Sequence, residues 1–206
     1  MVIFNKLVIA SANVGKLREF ESLLAHLPLE ISAQPLNFDV DETGASFAEN
    51  ARLKAQAVAI ATKQWALADD SGLSVNALGG DPGIHSARYE TTDSGRINKL
   101  LNELEKALKI NSSYNRKAEF VAALAIANPA GNIILEAQGS CSGEILITAR
   151  GDGGFGYDPI FLIPELGLSY AEIDKETKAT YGHRGKAFKQ LLPKLELLLG
   201  LNPTAM

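Results

Sequence analysis

Cysteine is almost absent from this 206-residue chain, where Cys141 is the only one. A single thiol excludes an intramolecular disulfide and any cysteine-based zinc cluster, which leaves core filling as its role. Positive charge is also short, with 20 Lys and Arg against 24 Asp and Glu and a formal net charge of −4. That balance argues against a broad basic face for nucleic acid, although a local basic pocket could still hold a small anion. Long apolar runs are missing as well. The N-terminal MVIFNKLVIAS lacks a signal-peptide core and no stretch reaches the length of a membrane span, so no membrane partner is expected and the cytoplasm is the expected compartment. What remains is an ordinary globular composition in a chain long enough for one domain, or for one domain with two lobes.

Against that background, one short stretch concentrates chemistry. An apolar lead-in from Trp65 to Ala68 meets two adjacent carboxylates, Asp69 and Asp70, followed by Ser71-Gly72 and a loop broken by Gly and Pro. The pattern predicts a buried strand that stops at its acids. Neighbouring side chains on a strand point to opposite faces, so two acids converge only where the strand ends or turns, as Gly72 permits. Carboxylates held close repel unless a divalent cation restores the charge balance. A hard-cation site is one reading of Asp-Asp-Ser-Gly, and a solvated turn is the other.

Upstream, Lys6 to Ala10 reads as a strand, and Ser11, Ala12, Asn13, Val14, Gly15 and Lys16 form the loop before an amphipathic helix carrying Leu17, Phe20, Leu23, Leu24 and Leu27. A helix N-terminus with a lysine in its first turn suits a phosphate, and an ordinary βα junction would look the same. The spacing is not that of a P-loop, so any metal must be held by carboxylates elsewhere. After a polar, proline-containing link, Ser46-x-x-Glu49 is a capping box opening an Ala-rich helix that runs to about Lys63. Glu42 lies just before it, facing either the helix N-terminus or the acids of 69 and 70. Lys54 lies two turns in. Helix then strand suggests an α/β sheet with Asp69 and Asp70 at its carboxyl edge.

Downstream, Asp93 is the expected cap of a helix with Ile97, Leu100, Leu101, Leu104 and Leu108 on one stripe. Segments 118–127 and 133–141 read as a hairpin about the turn Asn128 to Asn132, and 144–150 as a further strand. Gly151 to Gly156 matches G-x-G-x-x-G, but Tyr157 to Phe161 reads as strand, not as the helix a dinucleotide fingerprint requires. That loop either presents Phe155 and Asp158 to a planar ligand or is a turn with a buried Phe. Lys175 to Lys178 reads as a surface helical turn. His183 and Arg184 sit between glycines before the last helix, where Pro193 predicts a kink or a fresh start.

Six segments follow one another in a recognisable order: SANVGK at 11–16, ETGASFAENARLKA at 42–55, ADDSGL at 68–73, GGDPGIHSARY at 79–89, GGFGYDPIF at 153–161 and HRGKA at 183–187. In these the chain resembles the inosine triphosphate pyrophosphatase family, the XTP/dITP diphosphatases that clear deaminated purine nucleotides. The resemblance implies an α/β fold with a mixed central sheet flanked by helices, in two lobes with a nucleotide cleft between them. It also implies a homodimer, Mg²⁺ dependence, and hydrolysis of ITP, dITP and XTP to the monophosphate and pyrophosphate. Asp70 would then be the catalytic acid that handles the attacking water and contacts metal, with Glu42 and Asp69 beside it as metal neighbours. Ser11, Asn13, Lys16 and Lys54 would face the phosphates, with Ala12, Val14, Gly15 and Ser71 also among the substrate-binding residues. Phe155, Gly156, Tyr157, Asp158, Lys178, His183 and Arg184 would enclose base and sugar, Arg184 with His183 donating towards the purine 6-position. Two rivals share the layout: a pyrophosphatase for pyrimidine or other modified nucleotides, and a nucleotide sensor without turnover. A haloacid-type phosphatase is disfavoured, because ADDSG lacks the alternating Asp-x-Asp such an enzyme needs.

Overall fold

The structure, a computed structural model, describes residues 4–202. Seven strands, β1 (Lys6–Ala10), β2 (Glu30–Ala33), β3 (Trp65–Val75), β4 (Lys117–Ala127), β5 (Ile133–Ile145), β6 (Phe161–Ile163) and β7 (Leu168–Ser169), form one sheet in the order β2-β1-β3-β4-β5-β6-β7. β1 pairs parallel to β2 and β3, whereas β6 pairs antiparallel to β5 and β7. The sheet is therefore mixed, as expected. Five helices accompany it among the described residues: α1 (Val14–Leu24), α2 (Phe47–Thr62), α3 (Asp93–Ile110), α4 (Lys175–Tyr181) and α5 (His183–Leu198). None is long and apolar enough to cross a membrane.

Two compact units divide the chain. Among the described residues the first takes 4–70, 122–139 and 184–202, and the second takes 71–121 and 140–183, so the chain passes between them inside β3, β4 and β5 and at the start of α5.

In the first unit the sheet is covered on both faces, which is why β1 reads as an unbroken apolar run rather than an alternating one. Leu7, Ile9, Trp65 and Leu67 pack with Phe20 and Leu24 of α1 and with Phe188, Leu191 and Leu195 of α5. On the other face Val8, Ala10, Ala66 and Ala68 meet Ala51, Ala55, Val58 and Ala59 of α2. That interface is nearly all alanine, so the Ala-rich composition of α2 reflects packing against small side chains as well as helix propensity. Ser46 caps α2 as expected, its Oγ accepting from Glu49 N–H at 3.2 Å, while the Glu49 carboxylate reaches one residue further back, Oε2 accepting from Ala45 N–H at 2.7 Å.

In the second unit Leu100 and Leu104 of α3 pack on Leu73, Val75, Phe120, Tyr157, Phe161 and Tyr170. Cys141 is buried in this cluster as filler.

Several expectations are corrected. β3 does not stop at Asp69 and Asp70 but runs on to Val75, because Leu73 and Val75 have a core of their own to enter. No strand covers 144–150, since β5 already extends to Ile145 and the following residues form loop. The segment 157–161 is a 3-10 turn, Asp158–Ile160, leading into β6. Thr92, not Asp93, caps α3, its hydroxyl accepting from Gly95 N–H at 3.0 Å. The polar link holds β2, hidden from pattern reading because three of its four residues are not core-facing. Of the two outcomes expected at Pro193, a kink or a fresh start, the fresh start does not occur, because α5 continues through it. Leu191, Leu195 and Leu199 are all buried on the same core, and that anchoring holds the helix across one lost backbone bond.

Candidate active site

Because β3 is continuous at its acids, Asp69 and Asp70 project to opposite faces of the sheet, and each meets a different helix. Asp70 lies on the α2 face. Its Oδ1 accepts from Lys54 Nζ at 2.7 Å, and its Oδ2 from Asn50 Nδ2 at 3.2 Å. Asn50 and Lys54 stand four residues apart, on one side of α2, so a single helix presents both. Lys54 Nζ also lies 2.7 Å from Glu42 Oε1, and Gly44 N–H donates to Asn50 Oδ1 at 2.8 Å. Glu42, its loop, Asn50, Lys54 and Asp70 thus form one connected cluster.

Asp69 lies on the α1 and α5 face. Its Oδ2 sits 2.8 Å from Lys16 Nζ and 3.2 Å from Arg184 Nη2, and Arg184 also pairs with Glu19, one turn beyond Lys16 on α1. Asp69 and Arg184 are 1% and 3% exposed. Burial alone would raise the Asp69 carboxyl, but Arg184 and Lys16 outweigh it and hold the group well below the usual carboxylate range. Burial pushes Lys16 downward, against the pull of Asp69 and with the repulsion of Lys54 and Arg184. Arg184 is held fully charged, its desolvation offset by Asp69 and Glu19.

The loop before α1 remains open. Asn13 caps the helix by accepting from Lys16 N–H at 3.1 Å, and Ser11 Oγ accepts from Asn13 N–H at 3.1 Å. Ala12, Asn13 and Val14 are exposed, while Ser11 and Gly15 are partly so. Ser71 follows Asp70 in β3, half-buried.

The second unit carries the other group. Asp158 Oδ2 accepts from Phe155 N–H at 3.0 Å and from Lys178 Nζ at 2.7 Å. The Lys178 ammonium lies 5.0 Å from the centre of the Phe155 ring and 5.5 Å from that of Tyr170, within cation-π range of both. Gly154 makes this possible: its φ is +74°, and a Cβ there would overlap the Asp158 carboxylate. Gly156 N–H donates to Asp93 Oδ2 at 2.8 Å, tying the loop to α3.

Two of the residues expected at base and sugar make packing contacts. Tyr157 is buried in the core with its hydroxyl donating to Ser86 C=O at 3.0 Å, and burial pushes that hydroxyl's pKa up. His183 opens α5 rather than sitting on a glycine loop, and its ring stacks on Phe120 at 4.8 Å. Arg184, adjacent in sequence, turns instead to Asp69 and Glu19, so the pair read together as donors divides between the two units. Asn50, Glu19 and Tyr170 were not anticipated. Asn50 lies inside the segment 42–55, where its burial at 1% exposure marks a polar group with a fixed task.

Among the described residues no three His, Cys, Asp or Glu side chains gather as a ready-made metal cage. Glu42 and Asp70 nevertheless each direct an oxygen at one point, where Lys54 Nζ lies. Two carboxylates fit Mg²⁺, which commonly takes one or two from protein and completes its octahedron with water and phosphate oxygens. Asp69, the third acid of that expectation, faces Lys16 and Arg184 on the other side of the strand.

The Ham1 family model matches residues 7–194. The dITP/XTP pyrophosphatase of Parasynechococcus marenigrum (strain WH8102) is 57% identical over 197 residues, 96% of this chain and 98% of its own. That of Nostoc sp. (strain PCC 7120 / SAG 25.82 / UTEX 2576) is 52% identical over 94% and 95%. Among solved structures, a HAM1 protein from Coxiella burnetii matches with a TM-score of 0.81 at 39% identity, covering 96% of this chain and 99% of that one. The dITP/XTP pyrophosphatase from Mycobacterium abscessus matches with a TM-score of 0.69 at 37% identity, over 91% and 99%. With its fold and nearly its whole length matched by these proteins, the chain belongs to the Ham1 family.

Proposed function

We propose that this chain hydrolyses deaminated purine nucleoside triphosphates (ITP, dITP and XTP) to the monophosphate and pyrophosphate, with Mg²⁺, as a homodimer in the cytoplasm. The names of its relatives support the substrate class. The observation that carries the chemistry is the shared approach of Glu42 and Asp70 to one cation position, with Lys54 beside it.

Bound by Glu42 and Asp70, Mg²⁺ would supply charge neutralisation for the polyphosphate. The remaining work falls to side chains. Asp70 takes the proton of the attacking water, and Asn50 holds Asp70 Oδ2 so that Oδ1 keeps its direction. Water attacks the α-phosphorus, the bond to the α,β-bridging oxygen breaks, and pyrophosphate leaves with that oxygen. Lys16 and the N-terminus of α1 offset phosphate charge. Asp69 positions Lys16 and Arg184, and no proton transfer is required of it.

For the base, Phe155 offers a ring face and Lys178 a donor that suits a 6-oxo group. An adenine 6-amino group would set donor against donor, at about 1 to 3 kcal/mol for a polar group left unpaired. Arg184, paired with Asp69 and Glu19, and Lys178, paired with Asp158, are both candidates for that donor.

Hydrolysis of ITP in ¹⁸O-water tests the bond cleaved. The expected label is in the monophosphate and absent from pyrophosphate; label in pyrophosphate or in inorganic phosphate would refute attack at the α-phosphorus.

A further inference from the structure

Lys54 sits where a cation bound to Glu42 and Asp70 would sit, 2.7 Å from an oxygen of each. All three side chains are largely shielded, at 13%, 18% and 8% exposure, so solvent screens their charges only weakly. From this geometry we propose that Lys54 is a built-in counter-cation, which makes the acidic pair refuse free divalent metal and accept metal that arrives with a polyphosphate. The inference rests on the Mg²⁺ part of the proposed function and deepens it.

The charges set the direction. Two carboxylates and one ammonium leave the cluster at minus one, and a free divalent ion would bring it to plus one with an ammonium pressed against the metal. That state is poor unless the ammonium withdraws or an anion enters. A triphosphate supplies the anion. Its oxygens complete the metal's coordination and give the displaced ammonium a new partner, so each ligand improves the site for the other. Thermodynamic reciprocity then requires that nucleotide raise metal affinity by the same factor as metal raises nucleotide affinity. Asn50 keeps Asp70 directed at the shared point throughout, because its bond is to Oδ2 and Lys54's is to Oδ1.

The test is Mn²⁺ binding by electron paramagnetic resonance, with no turnover involved. Wild type, Lys54→Met and Lys54→Arg are titrated with Mn²⁺ alone, then with the α,β-methylene analogue of ITP. Wild type is expected to bind Mn²⁺ weakly alone and far more tightly with the analogue. Lys54→Met should bind Mn²⁺ alone about tenfold more tightly than wild type or better, with the synergy factor reduced, and Lys54→Arg should follow wild type because it keeps the charge. Melting curves supply a second readout: Mn²⁺ alone should raise the melting temperature of Lys54→Met more than that of wild type. The proposal is overturned if Lys54→Met binds free Mn²⁺ no better than wild type. Failure of the substrate assignment looks different, since the analogue would then bind none of the three proteins while the nucleotide-free titrations still compare their affinities.

Discussion

Asp69 and Asp70 are neighbours with opposite duties, and the difference is a matter of a strand's two-residue period. Asp69 is buried against two cations and lies in the ion-pair network of α1 and α5, whereas Asp70 faces Lys54 and Asn50 on α2. This predicts a pH signature for Asp69. Its folded pKa is lowered, so the unfolded chain takes up its proton first as pH falls. The stabilisation is complete well above the ordinary value of 3.8 and is lost progressively as pH drops through and below it. Asp69→Asn should melt several degrees below wild type at neutral pH, because Lys16 and Arg184 lose a buried partner. The gap should narrow between pH 5 and pH 3. Parallel melting curves over that range would show that Asp69 is not held ionised by its neighbours. Sequence made both acids conspicuous, but not their separation, because that depends on whether the strand continues past them. Arg184 was legible as a polar residue and not as a partner of Glu19, 165 positions away in the chain.

At the scale of elements, legibility followed periodicity. The stripe of α1, the capping box of α2 and the apolar face of α3 are written in local spacing, and the helices formed there. Where distant packing decides, local pattern falls short: β3 runs on because Leu73 and Val75 find a core, and α5 makes no fresh start at Pro193 because leucines on both sides are buried. The glycine loop 151–156 was rightly separated from a dinucleotide fingerprint, since only a 3-10 turn follows it. Its positive-φ Gly154 is a specific vulnerability. Gly154→Ala should cost about 1 to 3 kcal/mol from backbone strain and overlap with Asp158. Asp158 would then release Phe155 N–H or Lys178, so KM for the nucleotide should rise several-fold while Mn²⁺ affinity without nucleotide stays unchanged. An unaltered melting temperature together with an unaltered KM would remove Gly154 and its loop from the account.

For the whole molecule, the mixed sheet and its helices were anticipated, although β2 and β7 were not: β2 has little core-facing pattern and β7 is two residues long. Six ordered segments carried the family assignment, which the family match and full-length relatives then showed. Roles within the site are less legible, because Tyr157 and His183, expected at base and sugar, have packing contacts that no local pattern announces. The central claim is that the Glu42, Lys54 and Asp70 cluster, on β3, α2 and the loop before α2, is the reaction centre for deaminated purine triphosphates. Steady-state pyrophosphate release with Mg²⁺ from ITP, dITP, XTP, ATP and GTP, by wild type and Asp70→Asn, tests it most directly. The account predicts kcat/KM for the three deaminated substrates about ten- to a hundredfold above ATP, and a loss of about a hundredfold or more in Asp70→Asn with little change in melting temperature. Comparable rates with ATP, or near wild-type turnover by folded Asp70→Asn, would contradict it.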